Sequence, residues 1–373
     1  MLEDWLAPKA AALESRGLTR RLRARVAGED LIDLAGNDYL GLSADPRVIE
    51  AAAEAARVWG TSSTASRLVT GTTALHEELE SALGAYVGQE SALVFSSGYL
   101  ANLGVVTALG GPGTLLVSDD HVHASLVDAC RLSRSRIEVV PHNDVDAVTK
   151  VLAERNEPHA LVLTESVFSV LSDEAPLAAL AATVAEHNAV LLVDEAHGLG
   201  VTGHGRGSVH AAGLAGLDHV IVTMTLSKAM ASQGGVVLGP QVLRDHLINR
   251  ARSFIYDTGL NPAACDAGFA ALQILQSEPT RPAAIHAATT HLATACGVPP
   301  AAGPVVSIPM PGPRETVEAA DLCLAAGVRV GSFRPPSVPD GISRLRLTAH
   351  AGLSDADLDR ACTVIVDAIG QVS

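Results

Sequence analysis

The chain is short of lysine. Lys9, Lys150 and Lys228 are its three lysines among 26 basic residues, so ordinary positive charge is carried by arginine. No Lys/Arg-rich run stands out beyond Arg20-Arg21-Leu22-Arg23-Ala24-Arg25, and the net charge is −15. Such a chain is poorly suited to gripping a phosphate backbone, so no nucleic-acid partner is expected. The five cysteines (Cys130, Cys265, Cys296, Cys323, Cys362) are scattered and form no CxxC pair. That spacing speaks against a zinc site and for a reducing compartment. Apolar runs stop at six or seven residues, too short to span a bilayer. The opening MLEDWLAPKAAALESRGL carries acids early and has no apolar core segment, so no secretory leader and a cytoplasmic location are expected.

The lysine shortage decides how one conspicuous stretch is read. Residues 191–200, LLVDEAHGLG, contain Asp194-Glu195-Ala196-His197, the letters of the helicase DEAH box. A nucleotide motor also needs a glycine-rich loop ending in Gly-Lys-Ser/Thr, and none of the three lysines follows a glycine. The acids therefore serve another chemistry.

Short branched apolar runs recur at 92–95, 114–117, 137–140, 161–164, 190–193, 220–223 and 235–238. Near-continuous rather than alternating, they predict strands covered on both faces, hence an α/β unit with a mostly parallel sheet. Helices are expected between them, such as 99–109 and 175–187. After about residue 265 the texture changes. A helical stretch (262–276), a run at 305–308, a helix near 314–326, Ser343–Leu347 and a capped helix from Ser354 predict a smaller α+β domain. The expected division is 1–38 as an N-terminal helix and connecting segment, 39–260 as the large domain and 261–373 as the small one.

In open α/β sheets ligands collect beyond the carboxyl ends of the strands. Ser97-Gly98-Tyr99 follows the first run and opens a helix, which suits an anion or a plain turn. Asp194 ends a run, and His197 follows three residues on. Thr225-Leu226-Ser227-Lys228 ends another, 34 residues after Asp194. A lysine in apolar, glycine-rich surroundings is a candidate Schiff-base former, because lysine, unlike arginine, can lose its proton. A structural Asp194–Lys228 salt bridge is the simple alternative.

TLSKAMASQG (225–234) resembles the cofactor-lysine signature of the α-oxoamine synthases, fold-type I transferases that use pyridoxal 5′-phosphate (PLP). NDYLGL (37–42), SRLVTG (66–71), LHEELE (75–80), FSSGYLAN (95–102), HASL (123–126), VDEAHGLG (193–200), GRG (205–207), RPPSVP (334–339) and RLRLT (344–348) resemble that family's landmarks, in its order. Together they cover about residues 15–365. The segments VHASLVDACRLS (122–133) and PHNDVDA (141–147) are most similar to its biotin-pathway branch.

The resemblance implies a set of roles. Lys228 would hold PLP and then act as the base at Cα, while Asp194 would pair with the pyridine nitrogen. At about 4 Å and an effective dielectric of about 20 that pair is worth about 4 kcal/mol. This is about three pKa units, enough to keep the ring nitrogen protonated. His197 would bond the phenolic oxygen and His123 stack on the ring. Gly98, Tyr99 and Thr225 would hold the phosphate, with Thr258 reaching in from a second subunit of a homodimer. Ser169 and Glu165 would complete the cofactor pocket. Arg346, which shares a strand face with Arg344, would clamp the amino-acid carboxylate with Asn37, and Ser337 would touch substrate. Arg20 or Arg21 would meet a distal carboxylate. The implied substrates are L-alanine and a pimeloyl thioester on CoA or a carrier protein. Sister branches would take glycine with acetyl-CoA or another acyl-CoA.

Three positions depart from the family's pattern by lacking glycine. Thr61-Ser62-Ser63-Thr64-Ala65 replaces a glycine-rich loop that borders the thioester site, so acyl preference is expected to depend on it. Val170-Leu171-Ser172-Asp173 replaces an Asp-Gly turn. Ala231 stands where a glycine is common after the cofactor lysine.

Overall fold

The computed structural model describes residues 1–372. Eleven strands form among them: β1 (Ile32–Leu34), β2 (Ser91–Phe95), β3 (Thr114–Asp119), β4 (Arg136–Val140), β5 (His159–Glu165), β6 (Val190–Asp194), β7 (Val220–Thr225), β8 (Gly235–Gly239), β9 (Val305–Pro309), β10 (Val328–Phe333) and β11 (Arg344–Thr348). All seven branched apolar runs thus became strands, β2 to β8. They make one sheet in the order β2-β8-β7-β6-β5-β3-β4. Strand β8 is antiparallel to both neighbours, and the β7-β6-β5-β3-β4 pairings are parallel. Apart from the edge strand β4, where Ile137 and Val139 are exposed, the strands are buried on both faces, which is why their sequences do not alternate.

Helices Gly98–Leu109, Ala124–Ser133 and Gln241–Arg250 cover one face. Val105, Val106, Leu126 and Leu247 pack there with Leu93, Leu116, Leu163, Leu192 and Val237, and Phe95 meets Phe254 edge-on at 5.5 Å. Two of the landmark motifs serve this framework rather than chemistry. Arg67 of SRLVTG forms a buried ion pair at 2.9 Å with Glu80 of LHEELE, whose carboxylate also accepts from the Val94 N–H. Removing either partner would strand a buried charge.

Contacts divide the chain into two units. One comprises Met1–Gly36, Val170–Ser172 and the residues from Ala287 onward; the other comprises Asn37–Ser169 and Asp173–His286. The helix Pro262–Ser277 belongs to the second unit, where it packs on helices Pro46–Trp59 and Ala74–Val87. The first unit carries the four-stranded sheet β1-β10-β11-β9, antiparallel except for β1 with β10. Its last helix, Asp355–Val372, is opened by Ser354, whose Oγ accepts from the Asp357 N–H at 3.1 Å. None of the described helices is long and apolar enough to cross a membrane.

Candidate active site

The carboxyl ends of β5, β6 and β7 bring Glu165, Asp194 and Thr225 to one edge of the large sheet. Register fixes the order, with Glu165 opposite Asp194 and Asp194 opposite Thr223. Asp194 is 6% exposed and fully engaged: Asn102 donates to Oδ2 at 2.7 Å and the Ala196 N–H to Oδ1 at 2.9 Å. The same Asn102 amide reaches Ser125 Oγ at 2.9 Å, and Ser125 Oγ lies 2.8 Å from His123 Nδ1. Asp194 and His123 are therefore the two ends of one hydrogen-bonded run through Asn102 and Ser125.

A second run passes through His197. Its Nε2 lies 2.8 Å from Lys228 Nζ and its Nδ1 2.6 Å from the Tyr39 hydroxyl, which donates to Asn37 Oδ1 at 3.2 Å. With the Tyr39 hydroxyl donating to Asn37, His197 Nδ1–H donates to Tyr39 and Nε2 accepts from Lys228. Gly200 explains how close the two segments come. Its φ is +77°, and a Cβ there would sit 2.5 Å from Ala229 Cβ, beside Lys228.

The other end of the site is built for an anion. Ser97 caps the helix Gly98–Leu109, accepting from the Leu100 N–H at 3.2 Å. A Cβ on Gly98 would lie 3.1 Å from Thr225 Cβ, so glycine lets the helix N-terminus abut the end of β7. Thr225 and Ser227 hydroxyls lie 2.7 Å apart there. Backbone N–H groups at a helix start plus hydroxyls fit a phosphate. Tyr99 is exposed and its hydroxyl donates to Asp128 at 2.5 Å, leaving its backbone as its link to this cradle.

Electrostatics separates the acids. Burial, then the neighbouring Asp194 charge, raises Glu165 well above the usual carboxylate range. Glu195, next in sequence to Asp194, is likewise raised by burial, but it is spent on structure. Its oxygens accept from Ser166 Oγ and the Val209 N–H, each at 2.6 Å. His123 is solvent-exposed at one side, yet desolvation lowers its pKa against the pull of Asp194, so it is neutral. An exposed neutral ring suits stacking on an aromatic cofactor. Burial pushes Cys130 up to about 11 and Cys265 to about 12, which makes both thiols inert as nucleophiles.

The expected site residues fall into both units. Lys228, Asp194, His197, His123, Gly98, Tyr99, Ser169, Thr225, Thr258 and Asn37 lie in the second. Thr258 is exposed, on a turn where Asp257 takes a short hydrogen bond from Ser96. Arg20, Arg21, Ser337 and Arg346 lie in the first. There Arg20 donates to Ser337 Oγ at 2.9 Å, and both line a small cleft together with Phe333. Arg346 is buried with its guanidinium 5.1 Å over the Phe333 ring, whereas Arg344 is committed to Asp340. Arg21 instead lines a separate groove of about 1280 Å³ in the same unit. Sequence reading passed over Asn102, Ser125 and Tyr39, although each lies inside a quoted landmark. The missed signal in Asn102 is its place one helical turn after Gly98, on the face turned to the strand ends.

The fold is that of the fold-type I PLP-dependent transferases, and a buried aspartate, a lysine on a histidine, an open imidazole and a helix start beside hydroxyls are groups that would fit that cofactor. Residues 29–365 match the family model for class I and II aminotransferases. The chain is 57% identical over 369 residues to an 8-amino-7-oxononanoate synthase of Mycobacterium sp. (strain JLS), covering 98% of this chain and 96% of that one. Against the enzyme of that name from Mycobacterium tuberculosis (strain ATCC 25177 / H37Ra) it is 54% identical, covering 98% and 95%. A serine palmitoyltransferase from S. paucimobilis, solved with a PLP–myriocin aldimine, superposes with a TM-score of 0.90 at 29% identity, covering 99% and 98%. The chain belongs to the class I and II aminotransferase family and, within it, to the group of relatives that carry the name 8-amino-7-oxononanoate synthase. It is a PLP-dependent acyl-transferring enzyme of the α-oxoamine synthase type.

Proposed function

We propose that this protein condenses L-alanine with a pimeloyl thioester, on CoA or a carrier protein, to give 8-amino-7-oxononanoate, CO₂ and free thiol in biotin biosynthesis. The observation that carries the reading is Lys228 Nζ at 2.8 Å from His197 in the same unit as the buried Asp194. The names of relatives more than half identical along the whole chain supply the substrates.

PLP, when bound, supplies an electron sink for negative charge at the substrate Cα. The chain's own residues do the rest. Asp194, oriented by Asn102 and the Ala196 N–H, would hold a proton on the pyridine nitrogen. His123 would cover a ring face. His197 Nε2, kept as an acceptor by the Tyr39–Asn37 run, faces a donor, be it the lysine ammonium or a hydroxyl. Lys228, as a free amine, would take the Cα proton. The Cα carbon then bonds the thioester carbonyl carbon while thiolate leaves and takes up a proton. Arg346 is proposed for the alanine carboxylate, which departs as CO₂ from the resulting β-keto acid, and the Cα carbon left behind takes up a proton, for which the Lys228 ammonium is the proposed donor. Asn37 and Ser337 are proposed as substrate contacts and Arg20 as ligand of the pimeloyl carboxylate. Gly98, Tyr99, Thr225 and Ser169 are proposed for the cofactor, with Thr258 serving the partner copy of a homodimer. The five cysteines are unpaired, in keeping with the reducing cytoplasm.

Thiol release by the PLP-loaded protein tests this directly. Release with pimeloyl-CoA plus L-alanine, and none with acetyl-CoA plus glycine, is expected. The reverse pattern would move the protein to a sister synthase and make the altered 61–65 loop the informative feature.

A further inference from the structure

The PHNDVDA stretch lies outside the Lys228 centre, directly after β4. His142 sits between two carboxylates: Nδ1 is 2.9 Å from Asp119 Oδ1, and Nε2 is 2.6 Å from Asp173 Oδ2. A neutral imidazole has one N–H and cannot donate to both, so two ionised carboxylates at these distances favour the imidazolium, with the Asn143 amide nitrogen also 3.2 Å from Nε2. Its two anchors differ. Asp119 ends β3 and is fixed by the His121 and Asn143 N–H groups, each at 2.8 Å. Asp173 lies on the 168–173 loop, with one carboxylate oxygen buried and lacking a hydrogen-bond donor. The base of that loop is narrow: Phe168 N–H donates to Asp173 O at 3.0 Å, and Val167 bridges Glu174. Asn143 adds its amide to Asp173 Oδ2 at 3.1 Å and Glu174 O at 3.2 Å. Phe168 meets the His142 ring edge-on at 4.4 Å, and His121 stacks on it at 3.9 Å. Ser169 is the first residue beyond the base.

We propose that His142 is a positioning residue for the cofactor pocket: as imidazolium it ties the base of the 168–173 loop to the end of β3, and so holds Ser169 toward PLP. The proposal rests on the reading of Lys228 and Asp194 as a PLP site with Ser169, whose backbone hydrogen-bonds Glu165 at the end of β5, as one of its cofactor contacts. The charged and titratable groups around His142 are Asp119, with Asp120 and His121 beyond it, and Asp173 on the loop. Burial works against the His142 charge, but the hydrogen bonds to Asp119 and Asp173 outweigh it and raise its pKa. His121, desolvated and facing that cation, is lowered and stays neutral. A raised folded pKa makes the clasp complete below the unfolded value of about 6.5 and lost as pH rises through the folded value.

The test is PLP titration of the PLP-free protein, followed by the absorbance of bound PLP at about pH 6 and about pH 9, with amide exchange at Phe168 in the PLP-free state. His142→Gln should weaken PLP binding about tenfold at the lower pH, the ratio that one charge-assisted hydrogen bond commands, and hardly at all at the higher. Phe168 protection should fall in the variant, and in the wild type as pH rises. An equal ratio at both pH values, or unchanged Phe168 protection, would overturn the proposal. Should His142→Gln not fold, Asp173→Asn keeps the Asp119 contact and carries the same expectations. Wild-type protein that binds no PLP at either pH would instead sink the reading of Lys228.

Discussion

The Lys228 centre and the Arg20–Ser337 group recognise different things by different means. In the Lys228 centre each histidine nitrogen facing a partner has its proton assigned by that partner, and Asp194 is held by a side chain and a backbone N–H. These residues stand on strand ends brought close by glycine. Arg20 and Ser337 lie on irregular segments and are exposed, joined by one hydrogen bond at 2.9 Å. Proton transfer depends on fixed donors and acceptors, because misplacement changes the reaction itself. Capture of a distant carboxylate needs charge within reach and tolerates movement. Variants in the first region should therefore alter chemistry and cofactor together, and those in the second should alter substrate affinity alone.

Lys228→Ala gives the largest expected effect. Loss of the base should cost at least about 10³-fold in thiol release while the fold survives, checked by rate and by thermal melting. Asn102→Ala comes next. It leaves Asp194 in place but removes the donor shared with Ser125, a charge-assisted bond of about 2 kcal/mol. PLP affinity should fall about tenfold or more, with His123 losing its orientation, visible as a changed spectrum of the bound cofactor. An unchanged spectrum would break the idea that Asp194 and His123 are set by one run of hydrogen bonds.

Glu195 sharpens the comparison from inside the DEAH letters. It is the immediate neighbour of Asp194, yet it holds Ser166 and the start of the helix Ser208–Ala211. Glu195→Ala strands the donors it satisfies, at a cost of about 3 kcal/mol. Melting should drop by several degrees, while protein that remains folded keeps its PLP spectrum.

What could be read in advance follows the same division. Strands β2, β3 and β5 to β8 were legible because burial on both faces demands continuous branched apolar residues, and the edge strand β4 reads alike although Ile137 and Val139 are exposed. Strand β1, three residues of IDL, and β10, the mixed VRVGSF, carry no such mark. Lys228 stood out because lysine is scarce, and Asp194 because it ends a strand. Tyr39 and Asn102 are ordinary residues until folding brings them to partners 158 and 92 positions away. His142 could be seen only as part of a landmark, since its two carboxylates come from separate segments.

Arg20→Ala should leave melting and PLP binding unchanged and raise KM for the pimeloyl thioester about tenfold at nearly constant kcat. Arg21→Ala, whose side chain lines the separate groove, should do little. A fall in kcat with Arg20→Ala would erase the distinction between the two regions.

The smallest effects concern the three positions that lack the expected glycine. Each contains a residue in the left-handed region: Thr64 at φ 60°, Ser172 at 60° and Ala231 at 48°. The backbone turn has been kept although the residue that favours it has not. At Ala231 the strain relieved by glycine, about 1 kcal/mol, is nearly matched by the extra freedom glycine gives the unfolded chain. Ala231→Gly should then shift melting by no more than about 2 °C. Thr64 is β-branched and costs more in that conformation. Its loop has partly replaced glycine with contacts, Ser62 Oγ accepting from the Thr64 N–H at 3.0 Å and Ser63 Oγ donating to Leu260 O at 2.6 Å. Thr64→Gly should stabilise by about 1 kcal/mol, because those two hydroxyl contacts survive it. A loss of stability instead would mean that the Thr64 side chain itself holds the loop.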